Sequence, residues 1–301
     1  MKRGWLVNDT LTCIPNTKTF WHNLLEWLPG LIDKTGGHTN FSTLPIHVER
    51  DANLNGPPDY IIRNCTIFRK MNINTKTVSL LQDYYPNDNQ QIDVANNSDV
   101  VVFNSPYTQS LYKDKVNVKT ETISLGIDFD FFKPLESSDN LDILPNSILF
   151  IGANNNHPKG FDVVMDLINN TDYNFCLIMK DGFAINHPRV RVFNKVSQET
   201  VRSIANKCDM LICTSKVETL HLAGLEAAAC GLPLIATNVG VYYGLDDGEW
   251  GRKASNTNEF ISQIKYVFEN HNTFNSRNFF LNMGYDIKVT KEKWGNLIES
   301  L

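Results

Sequence analysis

The stretch TSKVETLHLAGLEAAACGLPLIAT, residues 214–237, decides the reading of this chain. An apolar run at 210–213 precedes it and another, at 232–236, closes it. Between them lie a loop and then residues 222–230, rich in Leu and Ala, which read as a helix. Strand, loop, helix and strand form the repeating unit of an open α/β sheet. In such sheets the loop sits at the carboxyl end of its strand and bares the first N–H groups of the helix, a place suited to phosphates. Two carboxylates, Glu218 and Glu226, fall eight positions apart across that loop–helix junction.

Glu226 is the single charge on an otherwise apolar helix. A buried, unpaired carboxylate costs several kcal/mol, so it must reach solvent or find hydrogen-bond donors, and a sugar diol would serve. The plainer alternative, which composition alone favours, is that Glu226 sits in the first turn and complements the helix dipole, worth roughly 0.3–1 kcal/mol.

Working outward, two blocks of alternating strand and helix pattern appear, the mark of parallel sheets covered by helices. In the first block, strands are expected at 4–8, 59–62, 77–81, 100–104 and 120–125. A helix is expected over 20–32, where Phe20, Leu24, Trp27, Leu28 and Leu31 recur at helical spacing, and another after Pro106. The second block gives strands at 148–152, 173–179, 190–193 and 210–213, and helices at 161–168, 198–206, 258–269 and 289–300. Residues 129–145, with Pro134 and Pro145, read as a connection. The expected division is 1–135 for an N-terminal acceptor-side domain, 136–285 for a nucleotide-sugar-binding domain, and 286–301 for a helix crossing back to the first.

A chain of 301 residues can hold two such cores. Its net charge of −5 and the lack of basic runs argue against a nucleic-acid partner. The six cysteines are scattered, with no C-x-x-C, and read as reduced core residues. No apolar stretch of membrane-spanning length and no leader-like h-region occur, so a cytoplasmic protein is expected, with peripheral membrane contact left open.

The order Glu218, Glu226, Gly231, Pro233 within one string resembles the E-x7-E signature of retaining GT-B glycosyltransferases, in particular family 4. Ser124-Leu125-Gly126-Ile127-Asp128, with Phe132 and Pro134, is similar to that family's passage between domains, and Trp294 lies in a helix like its last one. The resemblance covers roughly 77–301. It implies an α/β GT-B fold, two Rossmann-like domains facing a central cleft, and a metal-independent hexosyltransferase whose substrate is a nucleoside-diphosphate sugar. No metal and no cofactor are implied, and the hydroxyl acceptor, a glycan or lipid-linked saccharide, is not identified.

By that resemblance Glu218 meets the transferred sugar and Glu226 the ribose, while His221, Leu222 and Ala223 offer backbone N–H groups. Gly152 opens the loop after the 148–151 strand, and Lys159 holds the diphosphate. Val196 would meet the base through its backbone. Three departures stand out. Ala153 replaces the family's Arg, leaving Lys216 as a candidate second cation. Gln82 stands where the family has His. The loop 9–19 lacks a Gly-Gly pair. Asp128-Phe129-Asp130 spells D-x-D, but its place after Gly126 fits a hinge better than a metal site. Three other readings stay open: a non-catalytic nucleotide- or glycan-binding GT-B protein, a viral-type transferase acting on modified nucleic-acid bases, and an epimerase, against which the C-terminal match weighs.

Overall fold

A computed structural model describes residues 2–7, 20–34, 44–64, 71–84, 89–136, 141–154 and 157–301. The loop 9–19, where the sequence lacks a Gly-Gly pair, and the cysteines Cys13 and Cys65 lie outside the described residues. The chain divides into two compact units, one of residues 1–125 with 289–301 and one of 126–288.

The first unit carries β1 (Gly4–Val7), α1 (Phe20–Trp27), β2 (Leu31–Asp33), α2 (Leu44–Asn55), β3 (Tyr60–Asn64), β4 (Lys76–Leu81), α3 (Asn89–Asn96), β5 (Val100–Phe103), α4 (Pro106–Tyr112) and β6 (Lys119–Thr122). Its strands pair in parallel in the order β2-β1-β3-β4-β5-β6. β1, β3 and β5 are buried along their whole length, as strands covered on both faces must be. Ser105 caps α4 by accepting the Thr108 N–H at 3.0 Å, and Pro106 follows at the first helical position, where its missing N–H costs nothing.

One helix was expected too long. The run from Phe20 breaks at Pro29 and Gly30, because proline restricts Leu28 before it and Gly30 turns at φ 86°. Leu31 still enters the same core, but from β2, where it pairs with Gly4. α2 and α3 were not anticipated; their sequences, LPIHVERDANLN and NQQIDVAN, show no sustained apolar stripe.

The second unit carries β7 (Ser147–Gly152), α5 (Phe161–Asn170), β8 (Asn174–Met179), β9 (Val190–Asn194), α6 (Gln198–Ala205), β10 (Met210–Cys213), α7 (Leu222–Ala229), β11 (Leu234–Ala236), β12 (Gly251–Lys253), α8 (Thr257–Glu269) and α9 (Ser276–Asn282). The parallel order is β12-β11-β10-β7-β8-β9. The chain runs outward from β7 to β9, then returns to β10 on the other side of β7. That reversal is a topological switch point, where open sheets leave a crevice at the strands' carboxyl ends.

Phe129 and Phe132 are buried within this unit, and Arg277 ties the passage down by donating to the carbonyls of Phe129 and Phe132, each at 2.8 Å. Asp128 accepts the N–H groups of Asp130 and Phe131 at 2.9 Å, and Asp130 pairs with Lys288 at 2.7 Å. The D-x-D pair is thus engaged in a turn and a surface ion pair.

A last helix, α10 (Ile287–Ser300), gives the first unit its residues from Val289 onward. Trp294, Leu297 and Ile298 join Leu6, Trp21, Leu24 and Tyr60 in one core, and Thr290 donates to the Ser124 carbonyl at 2.9 Å.

Candidate functional site

The loops after β7 and β10 flank the switch point of the second unit, and side-chain and backbone bonds lash them together. Thr214 Oγ1 donates to the Lys159 carbonyl at 2.9 Å, and the Lys216 N–H to the Pro158 carbonyl at 2.7 Å. Gly160 makes this approach feasible. It stands at φ 64°, and a Cβ there would lie 2.0 Å from the Thr214 carbonyl oxygen, a combination only glycine accepts. A third segment closes on the same loop, where the Val241 N–H donates to the Leu220 carbonyl at 3.0 Å.

The lashing brings Lys159 and Glu218 into direct contact as an ion pair, with the Glu218 side chain 15% exposed. A cation and a carboxylate from residues 59 positions apart therefore share the mouth of the crevice.

Glu226 has different surroundings. It is the fifth residue of α7, beyond the first turn, so the dipole alternative raised by the sequence does not apply. No described side-chain hydrogen bond reaches its carboxylate, which keeps part of its surface exposed. The apolar protein around it pushes its pKa up to about 7. Such a group has open lone pairs for hydroxyl donors.

His221 precedes α7 in the left-handed region, at φ 73°. Its imidazole is buried 2.7 Å from the Tyr242 hydroxyl, and burial lowers its pKa to about 4, so it is neutral near pH 7. The Leu222 and Ala223 N–H groups precede the helix's own bonding ladder, and no acceptor for them is described among the backbone bonds.

The remaining candidates are more scattered. Lys216 lies in the lashed loop, but its ammonium pairs with Asp162 at 3.1 Å. Gly152 ends β7 and accepts the Lys180 N–H at 2.9 Å, and Ala153 after it is buried. Val196 follows β9, and no described contact joins it to Lys159, Glu218 or Glu226. Gln82 belongs to the first unit, just past β4, where its carbonyl accepts from Asn104 Nδ2 at 3.2 Å. Sequence reading missed Tyr242, whose one signal was its place directly after Gly240-Val241 in an aromatic pair. Among the described residues, no group of three or more His, Cys, Asp or Glu side chains could hold a metal ion.

The chain is similar to known glycosyltransferases in part of its sequence and in its fold. Residues 145–270 match the family described as Glycosyl transferases group 1, which spans most of the second unit. A curated relative from Methanocaldococcus jannaschii, named uncharacterized glycosyltransferase MJ1178, is 33% identical over 101 residues, or 31% of this chain. The match spans 28% of that relative's length. Sucrose-phosphate synthase from Thermosynechococcus elongatus superposes with a TM-score of 0.77 at 15% identity, covering 99% of this chain and 88% of that one. Anabaena HepE, solved with UDP and glucose, gives 0.75 at 15% identity, covering 99% and 100%. The fold is therefore α/β GT-B, built of two Rossmann-like parallel-sheet units, as the resemblance implied.

Proposed function

We propose that this protein is a retaining glycosyltransferase that moves a hexose from a nucleoside-diphosphate sugar to a hydroxyl acceptor, without a metal or other cofactor. The observation that carries the reading is the pairing of Lys159 with Glu218 at the switch point, with Glu226, which has no side-chain partner among the described residues, eight positions on. Breaking the bond between sugar C1 and the diphosphate puts negative charge on the leaving group, and preorganised donors that meet this charge lower the barrier. Lys159 and the open N–H groups of Leu222 and Ala223 supply such donors. Glu226 accepts the ribose hydroxyls, and Glu218, released from Lys159 as the phosphates take that cation, reads the transferred sugar. The acceptor oxygen bonds to C1 on the face the diphosphate leaves, and its proton passes to the departing phosphate oxygen. That route asks no proton transfer of Gln82, which serves as a hydrogen-bonding side chain.

The donor class draws support from HepE, solved with UDP-glucose as well as with UDP and glucose. The acceptor class, a glycan or lipid-linked saccharide, rests on the family resemblance. A cytoplasmic setting fits the free cysteines Cys176, Cys208, Cys213 and Cys230. No helix among the described residues is long and apolar enough to cross a membrane.

The test is a thermal-shift screen of nucleoside diphosphates followed by donor hydrolysis. The matching diphosphate at a hundred times its Kd should stabilise the protein by about 2.7 kcal/mol. Glu226→Ala should weaken that binding, and Glu218→Ala should lower turnover more than binding. Unchanged binding and hydrolysis in both variants would refute the assignment. A second reading, a non-catalytic nucleotide- or glycan-binding GT-B protein, is favoured by one observation: Ala153 and the Lys216–Asp162 pair leave Lys159 as the cation of the lashed loops. Donor hydrolysis in the absence of any acceptor excludes it.

A further inference from the structure

Left-handed backbone costs a residue with a side chain roughly 1–2 kcal/mol, so the φ of 73° at His221 needs support from its surroundings. Part of it is local, since the His221 carbonyl accepts the Gly224 N–H at 3.1 Å. A second hold on the residue is Tyr242. Its hydroxyl meets His221 Nδ1 at 2.7 Å directly over Gly224, where a Cβ would stand 1.8 Å from that hydroxyl and 2.5 Å from Nδ1. Tyr242 is itself held, fully buried, by a stacked Trp250 at 5.3 Å and an edge-on Phe280 at 6.4 Å. A rigid aromatic wall thus ends in one hydroxyl, and that hydroxyl fixes the side chain of the residue at the mouth of α7.

The geometry points to Tyr242 as a positioning residue for the donor diphosphate: through the His221 imidazole it holds the left-handed turn that aims the Leu222 and Ala223 N–H groups at the phosphates. The inference rests on the nucleotide-sugar reading above and deepens it. Tyr242 touches no substrate in this scheme. Its hydroxyl acts on the backbone at one remove, so its loss weakens what binds to the helix end and leaves the nucleoside contacts alone.

The experiment measures, by calorimetry on the full chain, binding of UDP, GDP, ADP, CDP and dTDP, then of the nucleoside matching the best of them. Tyr242→Phe should raise the diphosphate Kd about tenfold, the factor set by one lost hydrogen bond, with the nucleoside Kd unchanged. His221→Ala should do the same, because alanine resists positive φ. His221→Gly, which adopts that backbone freely, should recover most of the affinity. Adding Tyr242→Phe to His221→Gly should then change little, as expected when two residues act through one contact. Equal loss of diphosphate and nucleoside affinity in Tyr242→Phe, or a His221→Gly no better than His221→Ala, would overturn the inference while leaving the nucleotide-sugar reading intact. Failure of the wild-type protein to bind any of the five diphosphates would overturn both.

Discussion

Each unit has a six-stranded parallel sheet with one reversal of strand order, between β1 and β3 in the first and between β7 and β10 in the second. At the second reversal the flanking loops are bound to each other and present Lys159 and Glu218 side by side. At the first, Arg63, near the carboxyl end of β3, is turned into the scaffold, donating to Ser79 at 2.9 Å and to the Val94 carbonyl at 2.8 Å. The loops that follow β1 and β3 fall at 8–19 and 65–70, outside the described residues. One topology therefore serves two ends. The second reversal carries a charged pair at its mouth suited to a phosphate, whereas Arg63 at the first is committed to packing.

The sharpest way to break this contrast is to delete one group from each side. Lys159→Ala should lower kcat for donor hydrolysis by about 10²–10³, the scale seen when a preorganised charge-stabilising donor is lost. Gln82→Ala, in the first unit, should cost roughly tenfold or less, since a neutral amide gives a weaker hydrogen bond than an ammonium. Steady-state kinetics on both variants checks the ranking. A larger loss for Gln82→Ala would move the decisive chemistry to the first unit.

The difference between the units also explains what could be read from sequence. In the second unit β7, β8, β10 and β11 show as compact apolar runs, because parallel strands covered on both faces are mostly apolar. Glu226 is visible for the same reason, as the single charge on an apolar helix, and Glu218 through its place eight residues before it. Short or polar elements were not legible: β12 is three residues, GRK, and α2 owes its helix to packing that its sequence does not announce. Tyr242 and the Lys216–Asp162 pair were hidden for another reason. Their partners lie 21 and 54 positions away, and only the closed tertiary structure brings them together.

Backbone closeness in the second unit gives a graded test. Gly160→Ala forces a Cβ against the Thr214 carbonyl at positive φ, and should destabilise the protein by about 3 kcal/mol as strain and overpacking add. Gly182, at φ 79° with nothing within 4 Å of a Cβ, isolates the backbone part, so Gly182→Ala should cost about 1 kcal/mol. Chemical denaturation of both separates the two contributions. Equal losses would mean that the loops after β7 and β10 are not tightly joined, and the contrast between the switch points would lose its structural basis.

A further effect concerns protons. Glu226 has its pKa raised from 4.5 to about 7 by burial, so the folded protein holds a proton that the unfolded chain releases. Its contribution to stability is full below pH 4.5 and is lost as pH rises through 7. Glu226→Gln removes that penalty and should stabilise the unliganded protein by about 2 kcal/mol at pH 8, after discounting for the partial exposure of the carboxylate, and by nothing measurable at pH 4. His221 has the opposite sign. Its pKa falls from 6.5 to about 4, so its share of stability is complete above pH 6.5 and disappears as pH falls through 4. Between about pH 4.5 and 6.5 the two groups oppose each other, and in the wild-type protein their slopes largely cancel. Glu226→Gln should uncover the His221 slope, with stability rising across that window. A variant that keeps the wild-type pH profile would show Glu226 to be solvated, and the proposed diol-reading carboxylate would lose its desolvated character.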